Sequence, residues 1–249
     1  MDYESITDIC IDGDIIACRA AGGCKKGEPV ENALHNAKNM LGNLLFLFPN
    51  AEHTIYISGW KDETNFRKLC YTQYKATRGS KPEHTEATRD YIIKQHYGQV
   101  VLGIEADDAL GIHQCNSDGI SCIVSIDKDL NMIPGWHYNL AKKDLYYVND
   151  VEAFRYFYKQ MLEGDRCDNI PRIKKLWKKK DVFLLLDKAD TEQEMLDIVK
   201  DEIQKLYPEM GSLDINNLID WRGTLLWILR YKTDSWSSRM AYLDYLQMS

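Results

Sequence analysis

The sequence lacks any closely spaced pair of cysteines. Its seven cysteines are odd in number and form no CxxC motif. This pattern argues against a disulfide framework or a zinc knuckle, because both need paired sulfur atoms. The six histidines also lack the HxxxH spacing of a zinc-binding helix. The sequence therefore predicts reduced thiols, as in a cytoplasmic protein, and no zinc site.

The sequence also lacks a long apolar run, and no stretch approaches the roughly 18 residues that a membrane-spanning helix needs. Its first ten residues, MDYESITDIC, are acidic where a signal peptide would be basic. With 45% hydrophobic and 28% charged residues, the composition is that of an ordinary globular protein. We therefore expect a soluble, unexported protein that has no membrane partner.

Basic residues are outnumbered, with 31 Lys and Arg against 38 Asp and Glu, for a net charge of -7. This balance argues at first against nucleic-acid binding, because Lys and Arg provide the electrostatic attraction to phosphates. The argument depends on where the acids lie. Ten of them fall in short clusters, and without these ten charges the remainder of the chain carries +3. The acidic balance can therefore belong to a single site.

Strand-like and helix-like segments alternate as far as residue 130. This alternation predicts a three-layer α/β domain with a largely parallel central sheet, spanning residues 1–149. Within it, the polar and basic segment 63–97 is helix-biased and predicts a projecting helical segment. Nearly all of residues 150–249 is helix-like and predicts a helical lobe. The predicted strands are DICID, HTIYIS, QVVLGI and SCIVSI, with DLYYVND as a further short strand.

Acidic residues follow the ends of three of these strands, where parallel sheets collect ligands. They are Asp12, Glu105, Asp107, Asp108, Asp127 and Asp129. Converging carboxylates remain ionised together only when cations neutralise them, and hard oxygen ligands select Mg²⁺ or Mn²⁺. Two such ions roughly 4 Å apart promote phosphodiester hydrolysis. The pattern therefore predicts a metal-dependent nuclease.

The order of the motifs resembles that of the flap endonuclease-like 5'-nuclease superfamily, most closely the 5' to 3' exonucleases of short-tailed bacteriophages. The matching segments are IDGDIIACR (11–19), DETNFRK (62–68), YKATR (74–78), IEADDALG (104–111), SIDKDLNMIPG (125–135) and GDRCDNIP (164–171). The resemblance implies a DNA exonuclease or flap endonuclease that acts on duplexes with a 5' end or flap. A role in phage DNA replication, recombination or degradation in the host cytoplasm would follow.

The resemblance implies a set of ligands for two or more Mg²⁺ or Mn²⁺ ions. Asp127 and Asp129 look like the pair shared between the metal positions, and Asp14 is an extra acid that would act through water. Asp62 sits in a WKDET turn without the usual flanking glycine. The implied metal ligands are Asp12, Asp62, Glu105, Asp107, Asp108, Asp127, Asp129, Asp165 and Asp168.

The resemblance also assigns basic and aromatic residues to DNA. Lys75 and Arg78 match gateway residues that contact the scissile phosphate, and with Asp127 and Asp129 they form the implied catalytic set. A helix would place Lys75 and Arg78 on one face. Tyr74 matches a base-stacking aromatic, and Arg19 matches a phosphate contact. The alternatives are a solvated helix face for Lys75 and Arg78, a packed ring for Tyr74 and a surface ion pair for Arg19.

One segment departs from the superfamily pattern. Where relatives carry a glycine-rich hairpin, this chain reads DNIPRIKKLWKKKD, so we expect a degenerate helix-three-turn-helix in the C-terminal lobe, and whether a potassium site survives there stays open. Side-chain charges can replace backbone amides on duplex phosphates. The alternative is an ordinary solvated helix face. The proposed duplex-binding residues are Arg172, Lys174, Lys175, Lys178, Lys179 and Lys180.

Two other functions stay open at this point. A PIN-type ribonuclease shares the acidic α/β core, but it lacks the YKxxR and GDxxDNIP segments that occur here. A catalytically inert DNA-binding accessory protein on the same fold would lack carboxylates, and here the principal ones are present. Digestion of end-labelled duplex and circular DNA with and without Mg²⁺ separates these possibilities.

Overall fold

The computed structural model describes residues 2–173 and 179–248. The described residues form a six-stranded sheet with the spatial order β3-β2-β1-β4-β5-β6. Neighbouring strands from β3 to β5 pair in parallel, and β6 pairs antiparallel with β5. The strands are β1 (Asp8–Asp12), β2 (Glu52–Ser58), β3 (Gln99–Val101), β4 (Ser121–Ser125), β5 (Gly135–Asn139) and β6 (Asp144–Val148). The predicted largely parallel sheet is confirmed, although the sequence analysis does not identify β5.

The helices begin in the first crossover and dominate the chain after β6. They are α1 (Gly13–Gly22), α2 (Val30–Leu47), α3 (Phe66–Cys70), α4 (Thr85–His96), α5 (Ala106–Asn116), α6 (Asp150–Glu163), α7 (Lys179–Lys188), α8 (Glu192–Leu206), α9 (Ser212–Leu226) and α10 (Trp236–Met248). A short 3₁₀ helix, Lys128–Met132, follows β4. Within the described ranges, no helix is long and apolar enough to cross a bilayer. All seven cysteines are free, as their spacing predicted.

The alternation of side chains along the strands produces the three layers. Ile9 and Ile11 of β1 point into the apolar core beneath α1, α2 and α4. Cys10 points to the other face, where it packs with Leu110 of α5. Successive strand residues face opposite sides of a sheet, so a strand apolar at every position is buried on both faces. The predicted three-layer α/β architecture is therefore confirmed.

The C-terminal helices share the core on the α5 face of the sheet. Phe157 of α6, Leu226 of α9 and Trp236 of α10 belong to the same buried cluster as Ile123 of β4. The helices after residue 150 therefore continue the third layer. The predicted boundary between a core of residues 1–149 and a lobe of residues 150–249 stays a prediction. The predicted degenerate helix-three-turn-helix falls between α6 and α7, where residues 174–178 lie outside the described ranges.

Segment 63–97 is not the single projecting helical element that its polarity suggested. Helix α3 is five residues long, and turns follow it through Thr77. Helix α4 packs against α1 and α2, and it buries Thr85, Thr88 and Ile92. These three residues recur at helical spacing and form a narrow buried face that the surrounding polar residues obscure.

A buried ion pair ties α3 to α5 and to the C-terminal helices. Arg67 and Asp108 meet through two hydrogen bonds of 2.6 and 2.7 Å, and both side chains are almost fully buried. Arg67 also donates to the carbonyls of Leu225 and Trp227, at 3.1 and 2.5 Å. Asp108 also accepts from the Leu229 backbone amide at 3.1 Å. Bidentate geometry and additional partners are what a buried ion pair needs to offset desolvation.

We expect Arg67→Ala to lower the free energy of unfolding by about 3–5 kcal/mol, because it leaves the Asp108 carboxylate buried without its cation. The matched control is Lys94→Ala, which removes a cation from the exposed pair with Asp90 and should cost less than about 1 kcal/mol. Urea unfolding of both variants measures the difference. Equal losses in the two variants would contradict a structural role for the buried pair.

Candidate active-site cleft

An open cleft of about 820 Å³ lies at the carboxyl ends of the parallel strands. Crossover connections in such sheets bring successive strand ends to one edge, so residues distant in sequence meet there. The cleft combines carboxylates from three strand ends with cations from α3, α4 and the segment between them. Its charged lining residues are seven acids and six cations: Asp12, Asp14, Glu83, Glu86, Glu105, Asp107, Asp127, Lys61, Lys68, Lys75, Arg78, Lys81 and Arg89.

Asp12 is fixed at the junction of β1 and α1. Its carboxylate caps α1 by accepting from the Ile15 amide at 3.0 Å, and it accepts from the Ser125 hydroxyl at 2.8 Å. The next residue, Gly13, lies directly against β2. A Cβ on Gly13 would lie 2.6 Å from the Ile57 side chain and 2.8 Å from the Tyr56 carbonyl oxygen. Only glycine lets α1 begin so close to the sheet, and this closeness sets the position of Asp12.

Three carboxylates in the cleft act on one another. Burial raises the pKa of Asp12 to about 6, and the charge of Asp127 adds to this rise. Burial also raises the pKa of Asp107, as do the charges of Asp12 and Asp127. A raised pKa means that the ionised carboxylate is unfavourable where it lies. The cleft therefore has an electrostatic demand for a further cation.

Neighbouring cations of the protein already balance the negative charge of Glu105. Lys75 donates a short hydrogen bond to one of its oxygens, and the Tyr74 hydroxyl donates to the other at 2.7 Å. Arg67 lies 3.5 Å from the same carboxylate. Burial alone would raise the pKa of Glu105, but the charges of Lys75 and Arg67 hold it at about 2. Glu105 therefore stays ionised as the anchor of Lys75.

Lys75 and Arg78 meet at Asp168. Arg78 donates to one oxygen of Asp168 at 2.6 Å, and the Lys75 ammonium lies 3.6 Å from the other. Both cations lie on a turn rather than on the helix face that was predicted, and Lys75 has a left-handed φ of 57°. The Lys75 backbone amide donates to the Asp168 carbonyl at 3.0 Å, which holds this turn against segment 164–171.

A second acidic pair lies beside the first group. Burial raises the pKa of Asp129 to about 7, and the charge of Asp127 adds to the rise. Asp165 is its hydrogen-bonding partner: burial would raise the pKa of Asp165, but the bonds from Asp129 and from the Cys167 amide lower it. With Glu105, Asp107 and Asp168, this pair borders a small cavity of about 20 Å³. Such a volume holds one water-sized species.

The donor set fits a hard divalent cation in its chemistry. Its ligating atoms are carboxylate oxygens, and two of the carboxylates that border the small cavity, Asp107 and Asp129, have a raised pKa. In the described part of the chain, no three Asp, Glu, His or Cys side chains converge closely enough to hold an ion as they stand. Lys75 and Arg78 already neutralise two of the carboxylates, Glu105 and Asp168.

Other predicted site residues lie elsewhere. The oxygens of Asp62 accept from the Thr64 amide and hydroxyl and from the Gly103 amide, and Asp62 does not line the cleft. Asp108 is occupied by Arg67, as described above. Arg19 is exposed on α1 and does not line the cleft either. The structure therefore does not bring Asp62, Asp108 or Arg19 together with the acidic group.

Tyr74 has a different environment from the one predicted. Its side chain is only 4% exposed, and its hydroxyl donates to Glu105 and, at 2.8 Å, to Asp168. The ring packs in the core on the α5 face of the sheet. In this structure Tyr74 holds two acids in place and presents no face on which a base could stack.

The predicted duplex-binding residues border a second cleft only in part. This cleft of about 1080 Å³ includes Arg78, Arg166 and Arg172, and it shares Arg78 and Asp127 with the first cleft. Lys180 is exposed on α7. The positions of Lys174, Lys175 and Lys178 lie outside the described residues, as does the side chain of Lys179.

Several residues of the first cleft were not predicted from the sequence, among them Arg89, Trp60 and Lys81. Arg89 of α4 forms an ion pair with Asp14 and donates to the Ser58 carbonyl. Trp60, just after β2, also lines this cleft. The sequence carries no signal for Arg89, because the polar residues around it conceal the buried face of α4. No spacing marks Trp60.

Comparisons with known proteins agree with the motif order. No protein-family model matches the chain. Flap endonuclease Xni of Shewanella baltica is 30% identical over 128 residues, which cover 45% of this chain and 49% of that protein. DNA polymerase I of Streptococcus pneumoniae is 29% identical over 185 residues, 65% of this chain and 20% of the polymerase. The match thus spans about half of the flap endonuclease and a fifth of the polymerase.

Solved structures show the same fold across nearly the whole chain. The bacteriophage T5 flap endonuclease co-crystallised with metal ions superposes with a TM-score of 0.55 at 12% identity, covering 98% of this chain and 99% of that one. The catalytic core of Rad2 with DNA substrate gives 0.54 at 12% identity, covering 94% and 82%. The closer relation to exonucleases of short-tailed phages stays a prediction. The chain has the flap endonuclease-like fold, and its resemblance to the flap endonuclease-like 5'-nuclease superfamily is confirmed.

Proposed function

We propose that this chain is a divalent-metal-dependent 5'-nuclease that hydrolyses DNA from a 5' end or at a flap. One observation carries the proposal: Asp12, Asp107 and Asp127 meet in the cleft that also contains Lys75 and Arg78. Carboxylates with an unmet demand for cations beside two phosphate-binding cations suit phosphoryl chemistry. The flap endonuclease and DNA polymerase I among the relatives support this reaction class.

Two groups of carboxylates would hold Mg²⁺ or Mn²⁺, two or more ions in all. Asp12, Asp107 and Asp127 form the group in the cleft, and Asp129 and Asp165 form the group beside the small cavity. When bound, such ions lower the pKa of a water nucleophile and stabilise charge on the leaving oxygen. The T5 flap endonuclease, which was co-crystallised with metal ions, supports this assignment.

Lys75 and Arg78 would bind the phosphate that is cut. Both now pair with carboxylates, Lys75 with Glu105 and Arg78 with Asp168. A phosphate bound in the cleft would compete for each cation, and this exchange would free Glu105 and Asp168 to act as further ligands. The pairing thus keeps the cations in position and the carboxylates ionised before DNA arrives.

The two clefts would divide the substrate between them. The first has the acids of the reaction, and the second has Arg166 and Arg172 on an open surface that suits a duplex. Arg78 and Asp127 border both clefts, so the cut would fall between the paired and unpaired parts of the DNA. The basic residues of segment 172–180 would extend the duplex contact. Replication, recombination or degradation of phage DNA in a host cytoplasm is the corresponding role.

A catalytically inert DNA-binding protein is the second candidate. The observation in its favour is that Glu105 and Asp168 are already paired with side-chain cations, which leaves fewer carboxylates for ions. A PIN-type ribonuclease is the weaker alternative, because the curated relatives include a flap endonuclease and a DNA polymerase. A cleavage assay separates the three.

We expect the wild-type protein to cut an end-labelled 5'-flapped DNA duplex in Mg²⁺ and to leave it intact in EDTA. Asp127→Asn should abolish the cut without weakening DNA binding, because it removes one negative charge near phosphate. The control Asp118→Asn, in an exposed loop after α5, should cut normally. Product lengths distinguish flap cleavage from stepwise exonuclease action. Absence of any Mg²⁺-dependent cut favours the inert protein, and preference for an RNA duplex favours the ribonuclease.

Lys75→Ala should lower the single-turnover cleavage rate by about 10²–10³-fold, because a charge aimed at the transferring phosphate is lost. Arg78→Ala should act in the same direction, and Lys75→Arg should retain part of the rate. Rapid-quench measurements at saturating DNA give the rate. A melting curve shows whether the fold tolerates the loss of the cation that pairs with Glu105. If saturating DNA restores the wild-type rate to Lys75→Ala, the residue contributes to binding alone.

A further inference from the structure

Trp60 presents an aromatic surface inside the acidic cleft. Its side chain is 45% exposed and lines the cleft together with Asp12 and Asp127. Tyr74, the aromatic residue to which the resemblance assigns base stacking, is buried and bonded to two acids. An exposed tryptophan has a large apolar area in contact with water, which favours its covering by a flat ligand.

The turn that carries Trp60 is held against the neighbouring strand. The Gly59 amide donates to the Val101 carbonyl at 2.8 Å, and a Cβ on Gly59 would lie 2.6 Å from the Leu102 side chain. Asp62 closes the other end by accepting from the Gly103 amide at 2.6 Å. The backbone that carries the indole is therefore positioned before any ligand binds, which lowers the entropic cost of binding.

Two cations lie close to the ring. The ammonium of Lys81 lies 5.3 Å from its centroid, and the guanidinium of Arg89 lies 5.5 Å away. Arg89 is engaged with Asp14 and the Ser58 carbonyl. Lys81 is exposed and lines both the first cleft and a neighbouring groove that contains Lys25 and Lys26. An exposed ring beside a cation matches the two parts of a nucleotide, its base and its phosphate.

We propose that Trp60 stacks on a base of the unpaired substrate strand, and that Lys81 contacts the phosphate of that nucleotide. The inference rests on the proposed function, since it takes the ligand of the cleft to be a nucleic-acid strand. Stacking accepts every base, so the contact positions the strand without selecting its sequence. Asp62, which was predicted to be a metal ligand, acts here by fixing the turn.

The experiment measures binding of a DNA hairpin that carries a short 5' overhang, with Ca²⁺ in place of Mg²⁺ to prevent cutting. A set of hairpins has one abasic site at each successive overhang position. The proteins are the wild type, Trp60→Ala, Trp60→Phe and Phe46→Ala. Phe46, which is 88% exposed on α2 and does not line the cleft, is the matched control for loss of a surface aromatic.

We expect one abasic position to weaken wild-type binding by roughly 5- to 150-fold, the range for loss of one stacked base. Trp60→Ala should bind the intact hairpin more weakly by a similar factor and should no longer respond to that abasic site. Trp60→Phe should keep most of the affinity and the response. Phe46→Ala should behave as the wild type.

The inference is wrong if Trp60→Ala binds the intact hairpin as tightly as the wild type, or if it keeps the abasic response. Should Trp60→Ala melt at a lower temperature, Trp60→Leu replaces it, because leucine keeps apolar bulk without an aromatic face. Wild-type cleavage in Mg²⁺ is scored separately. If the abasic response depends on Trp60 but the wild type does not cleave DNA, the nuclease proposal is wrong and the stacking contact is retained. If the wild type cleaves DNA but the abasic response does not depend on Trp60, only the stacking contact is wrong.

Discussion

Repulsion among carboxylates at the carboxyl edge of the sheet is the constraint to which the rest of the site responds. The chain neutralises part of this charge with its own cations, as Lys75 does for Glu105 and Arg89 does for Asp14. It leaves other carboxylates without a side-chain cation, and burial, with the charges of neighbouring carboxylates in addition, raises the pKa values of Asp12 and Asp107. The carboxylates that hold Lys75 and Arg89 are therefore balanced, and the carboxylates without a side-chain cation attract further cations.

The same ion pairs connect the site to the core. Arg67 joins α3 to α5 and the C-terminal helices, and it lies 3.5 Å from the Glu105 carboxylate that holds Lys75. Tyr74 packs in the core and bonds to Glu105 and Asp168 with one hydroxyl. The positions of Lys75 and Arg78, the proposed phosphate-binding cations, therefore depend on the packing of residues that lie outside the cleft. A variant that loosens these helices should also affect the cleft.

Much of the fold could be predicted from the sequence. A strand that is buried on both faces appears as an apolar run, and acidic residues follow the ends of several strands. The sequence does not show which acid faces the cleft. Asp107 and Asp108 both lie in the first turn of α5, but neighbouring helical residues point about 100° apart. One therefore faces the cleft and the other faces Arg67, and only the position of Arg67 decides which. The burial of Tyr74 and the exposure of Trp60 likewise depend on tertiary packing, which the spacing of neighbouring residues in the sequence does not show.

The central claim is that the cleft holds excess negative charge that divalent cations relieve. The most direct measurement is the melting temperature with and without Mg²⁺ for the wild type, Asp107→Asn and the exposed control Asp118→Asn. Mg²⁺ should raise the wild-type melting temperature, as a ligand at ten times its Kd adds about 1.4 kcal/mol. Asp107→Asn should melt higher than the wild type without Mg²⁺ and gain less from it, while Asp118→Asn should match the wild type. An equal Mg²⁺ shift in all three proteins, or none in the wild type, would contradict the account.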